Sequence, residues 1–338
     1  MNVHEVKELA HQWVRDVGSQ EEQYIGSFLA GSINRMDDDA PWRPLSDVDI
    51  FTLVDREITG WSEQRKFLYQ GVIVESVVFP VNRFQPAEKL LGRVDAINLT
   101  PASIIADPRG YLSTLATIVA EEYRCKAWTW RRCLQTSNAI SSTYLARLEE
   151  TESLPRQVYN LLQAVMQMAQ LPALAQNLNP TVRQCLVASQ TYLTALGHQE
   201  QQEGLLTMLG SVNFTQERAF THLQYCMRAF DYATTIHHTP FWGDFDVNQA
   251  MRPLADEGGR ALIDDGYPRE AIWWILFIHT LAQIAIQNGA PATEKAHYLT
   301  SYRQILNDLG LSSRRAFQQR AQYGQHLLDE FMQLLYPI

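Results

Sequence analysis

The sequence predicts an α+β protein in which a small amino-terminal unit of strands with flanking helices is followed by an all-helical remainder. Three observations carry this. Apolar runs with strand character recur at about 24–30, 47–54, 71–79 and 102–106, all within the first 110 residues. After Gly110 that patterning stops, and apolar residues recur at helical spacing to Ile338, interrupted by short polar breaks. The 338 residues are enough for two hydrophobic cores, and the expected division is 1–112 and 113–338.

Element by element, Val3, Val6, Leu9, Ala10, Trp13, Val14 and Val17 form one helical stripe, ended by Gly18-Ser19. Tyr24 to Ala30 reads as a strand stopping at the turn Gly31-Ser32. Residues 47–54 and 71–79 are strands, and short helical pieces fit 62–69 and 85–93. Ala102-Ser103-Ile104-Ile105-Ala106 is a last strand, closed by the turn composition Asp107-Pro108-Arg109-Gly110. Beyond it, helices are expected at about 111–123, 126–150, 155–175, 180–197, 215–235, 268–288, 292–309 and 311–335. Neither an internal repeat nor a low-complexity linker is present.

Composition narrows the class. Hydrophobic residues make up 46% and charged residues 19%, ordinary values for a water-soluble chain. The net charge is −9 with no basic block, which argues against a template-using polymerase or general nucleic-acid binder. The apolar stretch from Ala271 to Ile286 is interrupted by His279, Thr280 and Gln283, so no membrane span is expected. Burial in a bundle and a homodimer contact are both open for it. Cys125, Cys133, Cys185 and Cys226 show no C-x-x-C or zinc spacing and read as reduced thiols. Met1-Asn2-Val3-His4-Glu5 carries no signal-peptide pattern, so the expected compartment is the cytoplasm.

The chemistry concentrates in three acids. In Asp47-Val48-Asp49-Ile50, strand geometry places both carboxylates on one face and both apolar side chains on the other. Two aspartates on one face repel, which calls for a cation. Glu75 lies inside the run from Val72 to Phe79, where burial without a partner would be costly unless the strand is an edge facing solvent. Gly31 permits close backbone approach to a phosphate, and Ser32 offers a hydroxyl and an N–H, although Gly-Ser alone is a common turn. A phosphate-competent turn followed by three convergent carboxylates is the donor set of a two-metal phosphoryl-transfer site.

In that order, Gly31-Ser32, Asp47-Val48-Asp49 and Glu75 resemble the DNA polymerase β-like nucleotidyltransferase superfamily. The preceding helix and the strand and turn Ile104-Ile105-Ala106-Asp107-Pro108-Arg109-Gly110 extend the likeness. A strand-rich unit with a helical partner is similar to the aminoglycoside (kanamycin- or streptomycin-type) nucleotidyltransferases. The resemblance covers about 1–110 and is architectural beyond. It implies a mixed sheet with flanking helices and a helical bundle that recognises the acceptor. It implies Mg²⁺ held by Asp47 and Asp49, one ion bridging the β- and γ-phosphates of a nucleoside triphosphate gripped by Gly31 and Ser32. Glu75 then completes a second metal site or acts as general base. The implied reaction is transfer of a nucleoside monophosphate, with ATP the expected donor, to a hydroxyl of a small molecule, releasing pyrophosphate.

The chain departs from the compact members at Arg35 to Trp42, which reads as an insertion with Asp37, Asp38 and Asp39 at a solvated tip. Other features are weaker. His237-His238 with Asp244 and Asp246 reads as a polar loop, and Trp128, Trp130, Arg131 and Arg132 form an aromatic-basic cluster suited to a domain boundary or to the triphosphate. Gly258-Gly259 does not follow a strand, so it fails as a phosphate loop. Pro180 suits the first turn of a helix. Three rivals remain: the same site labelling a protein or tRNA, as in toxin–antitoxin systems, a silent nucleotide-binding regulator, and a chance motif in an unrelated α/β protein.

Overall fold

The computed structural model describes residues 1–43, 45–58, 63–150, 153–179 and 181–335. The architecture is α+β, as expected: a five-stranded mixed sheet plus many helices. Two compact units are present. The first comprises Met1–Arg132 together with Asn177–Asn179, and the second Cys133–Gln176 with Pro180–Ile338.

In the first unit, helix α1 (Val3–Asp16) begins at Asn2, whose side chain accepts from Glu5 N–H while the Glu5 carboxylate accepts from Asn2 N–H. Strands β1 (Tyr24–Ala30), β2 (Asp47–Val54), β3 (Gln64–Tyr69), β4 (Val72–Pro80) and β5 (Ile104–Ala106) follow. Their order across the sheet is β3-β4-β2-β1-β5. The β2–β4 pair is parallel, and the other three pairs are antiparallel.

Alternation along the strands builds two cores on opposite faces. Leu29, Val48, Ile50, Val72 and Val74 pack with Val3, Val6, Ala10, Trp13 and Val14 of α1. On the other face Phe28, Leu53 and Phe79 pack with Phe84, with Leu90 and Leu91 of α2 (Ala87–Leu91), and with Leu112, Leu115 and Ala116 of α3 (Tyr111–Glu122). The Asp107 carboxylate caps α3 by accepting from Leu112 N–H at 3.1 Å and from Ser113 N–H at 2.8 Å, so the Asp-Pro-Arg-Gly turn is a helix start. The loop carrying Asp37, Asp38 and Asp39 is exposed and pinned to the start of α1, with Lys7 Nζ 2.7 Å from Asp38 Oδ1.

The helical piece expected at 62–69 is instead strand β3 from Gln64 onward, Ser62 lying outside the described residues. Its physical cause is the hairpin that follows. Tyr69 pairs with Val72 across Gln70 and Gly71, both at positive φ (49° and 84°), the two-residue turn whose twist suits antiparallel strands. β3 is an edge strand, so its half-exposed side chains lack a clean apolar alternation.

The chain leaves the first unit within α4 (Lys126–Ala139), which continues through a π-helical turn, Ile140–Leu145, into α5 (Ala146–Glu149). Among its described residues the regular elements of the second unit are all helical: α6 (Leu154–Ala175), α7 (Cys185–Leu196), α8 (Gln199–Leu209), α9 (Gln216–Ala233), α10 (Arg252–Asp264), α11 (Pro268–Gly289), α12 (Ala292–Asp308) and α13 (Arg314–Leu335). Helix α11 is apolar because it is the core of this unit. Ile272, Trp273, Ile275 and Leu276 are fully buried, and the indole N–H groups of Trp273 and Trp274 donate to the carbonyls of Leu162 and Leu254. It is the one described helix long and apolar enough to cross a bilayer, and it lies inside the unit.

Helices α8 and α10 appear where none was expected, because glycines interrupt their patterns. Each glycine serves close packing: a Cβ on Gly204 would lie 2.7 Å from Leu327 Cδ1, and one on Gly259 would lie 3.0 Å from Leu223 Cδ1. Helix α7 starts at Cys185 rather than 180, and Pro180 lies outside the described residues.

Candidate active site

The parallel β2–β4 pairing sets the site, because register partners there face the same side. Asp49 pairs with Glu75 and Asp47 with Ile73, so Asp47, Asp49 and Glu75 share the sheet face that carries Phe51, Leu53 and Phe79 further along. One carboxylate oxygen from each of the three acids can be chosen so that all lie within 4.8 Å of one another. Among the described residues they form the one group of three or more such side chains.

Three partly buried carboxylates this close oppose each other's ionisation. Burial first, then the negative charges of Asp47 and Glu75, hold the Asp49 carboxyl well above the ordinary carboxylate range. Lys66 of β3 opposes this. It pairs across the strands with Glu75, and its Nζ lies 2.9 Å from Glu75 Oε2 and 3.6 Å from Asp47 Oδ2. Gln64, two residues earlier and hence on the same face, donates from Nε2 to Glu75 Oε1 at 2.5 Å. Neither residue was expected at the site, since both sit on the strand misread as helix. The hairpin turn Gln70-Gly71 was the signal that could have found them.

Gly31 ends β1 at φ 72° and ψ −154°, a conformation open essentially to glycine alone. A Cβ here would stand 1.9 Å from Asp49 Oδ2. The glycine therefore makes room for the carboxylate itself. Its N–H donates to Asn98 Oδ1 at 3.2 Å, and that oxygen also accepts from Asn179 Nδ2 at 2.8 Å. Asn98 is buried and its own amide donates to the Asp95 carbonyl, so the turn is fixed from beneath. Ser32 is exposed at the same end of β1.

The weaker candidates fall elsewhere. Arg132 is buried and donates at 2.7 Å to each of the Leu91 carbonyl, the Tyr123 carbonyl and Asn177 Oδ1, a structural post of the first unit. Arg131 stacks over Trp128. Asp244 lies in a short 3₁₀ turn with Asp246 and accepts from Phe241 N–H. Cys133, Cys185 and Cys226 are buried free thiols and Cys125 an exposed one.

No family model matches the chain, and no curated protein matches it. Among solved structures it is similar to a nucleotidyltransferase-like protein from Exiguobacterium sibiricum 255-15, at 15% identity and a TM-score of 0.30, over 76% of this chain and 92% of that one. A superposition this loose carries no inference about chemistry.

Proposed function

We propose that this chain is a magnesium-dependent nucleotidyltransferase that moves a nucleoside monophosphate, AMP from ATP, to a hydroxyl of a small molecule. The observation that carries the proposal is the convergence of Asp47, Asp49 and Glu75 beside a turn that admits only glycine. The donor set fits magnesium, which takes hard oxygen ligands and completes its shell with water and substrate phosphates. Bound there, the ion would neutralise charge on the triphosphate.

Asp47 and Asp49 are the residues that would hold it. Ser32, exposed beside them, offers its hydroxyl and N–H to the phosphate tail, while Gly31 keeps the backbone out of the way of Asp49. The acceptor oxygen forms a bond to the α-phosphorus as the bond to pyrophosphate breaks. Glu75 would take the hydroxyl proton, or lend an oxygen to a further cation. The net charge of −9 without a basic block favours a small acceptor over nucleic acid, and the reaction belongs in the cytoplasm, where ATP and magnesium are plentiful.

Incubation with Mg²⁺, each α-labelled nucleoside triphosphate, an aminoglycoside panel and a cell extract tests the proposal. Label should pass to a small acceptor and vanish with Asp49→Asn, a variant expected to fold because it removes one of three repelling charges. Wild-type turnover by Asp49→Asn would overturn the assignment. Label on protein or tRNA would keep the chemistry and replace the acceptor.

A further inference from the structure

We infer that Lys66 is a built-in cation occupying the Glu75 side of the acidic cluster, so that the site takes one divalent ion, held by Asp47 and Asp49, rather than two. This rests on reading the three acids as a metal centre and decides how many ions that centre accepts.

The placement follows from the hairpin. β3 and β4 run antiparallel with Lys66 opposite Glu75, which puts the lysine side chain on the acidic face. There it is only 12% exposed, against 14% for Glu75. An ammonium so enclosed is stable only beside opposite charge, and it has it at 2.9 Å from Glu75 and 3.6 Å from Asp47. Gln64 supplies the second half of the clamp. With its amide on Oε1 and the lysine on Oε2, each oxygen of Glu75 already accepts from β3. Asp49 is seated against Gly31, where a Cβ would stand 1.9 Å from its Oδ2.

Charge balance points the same way. Three carboxylates and one ammonium leave a formal charge of −2, which a single divalent ion cancels. A second would bring like charge against Lys66 at Coulomb distances where repulsion is strong. The lysine thus does for Glu75 what a second ion does in a two-metal site: it holds the carboxylate in place and offsets its charge. Glu75 is then a residue positioned by β3 rather than a ligand of a second metal.

Titrating the full-length chain with Mn²⁺ alone, and counting free ion by its electron paramagnetic resonance signal, tests this without any turnover. The wild type should bind one equivalent, lost in Asp49→Asn. Lys66→Met, which keeps the apolar stem and removes the charge, should bind two, with the spectrum broadened by the neighbouring spin. Lys66→Arg should stay at one. Circular dichroism melting checks that Lys66→Met folds; if it does not, the wild-type count decides alone. Two equivalents in the wild type, or one in a folded Lys66→Met, would overturn the inference. Separately, nucleotide transfer by a wild type that binds two ions would keep the proposed function and discard only this inference. Absence of any Mn²⁺ binding would remove the metal centre beneath both.

Discussion

Gly31→Ala is the sharpest test of the site's construction. At φ 72° and ψ −154°, an alanine pays backbone strain of about 1–3 kcal/mol. The new Cβ would also meet Asp49 Oδ2 at 1.9 Å and Asp49 Cγ at 3.1 Å. Restoring an ordinary contact moves the carboxylate by roughly 1 Å or more, off its preferred rotamer, at a further ~0.5–1.5 kcal/mol. The expected loss is therefore about 2–4 kcal/mol in urea denaturation. Transfer should fall about 100-fold, the usual consequence of a 1 Å misplacement. Gly71→Ala is the control. It too has positive φ, 84°, but a Cβ there meets nothing within 4 Å, so it incurs the backbone cost alone. Adding Asp49→Ala to Gly31→Ala should recover the clash component and leave the strain. Equal destabilisation by Gly31→Ala and Gly71→Ala, or simple additivity of Gly31→Ala with Asp49→Ala, would refute the claim that this glycine exists to seat the carboxylate.

Three further outcomes are expected. Arg132→Met should cost about 3–5 kcal/mol in urea denaturation, because it strips the charged donor from the buried carbonyls of Leu91 and Tyr123 and from Asn177; a loss under about 1 kcal/mol would contradict the role given to it. Asn98→Ala should cost about 1–3 kcal/mol by leaving Gly31 N–H and the Asn179 amide without their shared acceptor, and should weaken Mn²⁺ binding through Gly31. Burial pushes the His279 imidazole down to about 3, whereas the unfolded chain takes up that proton near 6.5. The unfolded state therefore binds more protons between those values, and the contribution to stability falls as pH drops below about 6.5, by about 2 kcal/mol between pH 7 and pH 5. His279→Gln should flatten that part of the stability–pH curve, and parallel curves for the two proteins would refute it.

Strands β1, β2 and β4 were legible in the sequence because both their faces are covered, so apolar residues run through them and the acids stand out against that background. Strand β3 was not, and with it went Gln64 and Lys66. An edge strand with Leu68 exposed and a lysine turned inward to meet acids inverts the usual pattern, and its turn, Gln70-Gly71, is a less familiar signal than Asn-Gly. Gly31 was legible as a special position, but its reason lies 18 residues away at Asp49, invisible to local reading. Helices α8 and α10 were hidden for a related cause, since a glycine that admits a neighbouring helix looks, in isolation, like one that breaks its own.

The return of Asn177–Asn179 to the first unit bears on how this protein can be cut and recombined. The backbone crosses between the units after Arg132, after Gln176 and after Asn179, so no single scission separates them. A gene fragment ending at residue 132 would encode every described strand and all three acids of the cluster, yet omit the Asn177 oxygen that meets Arg132 and the Asn179 amide that meets Asn98. Exchange of the helical half for another would therefore have to carry a three-residue graft to keep the glycine turn supported. A segment encoded in the middle of the helical half is thus part of the first unit's own fold.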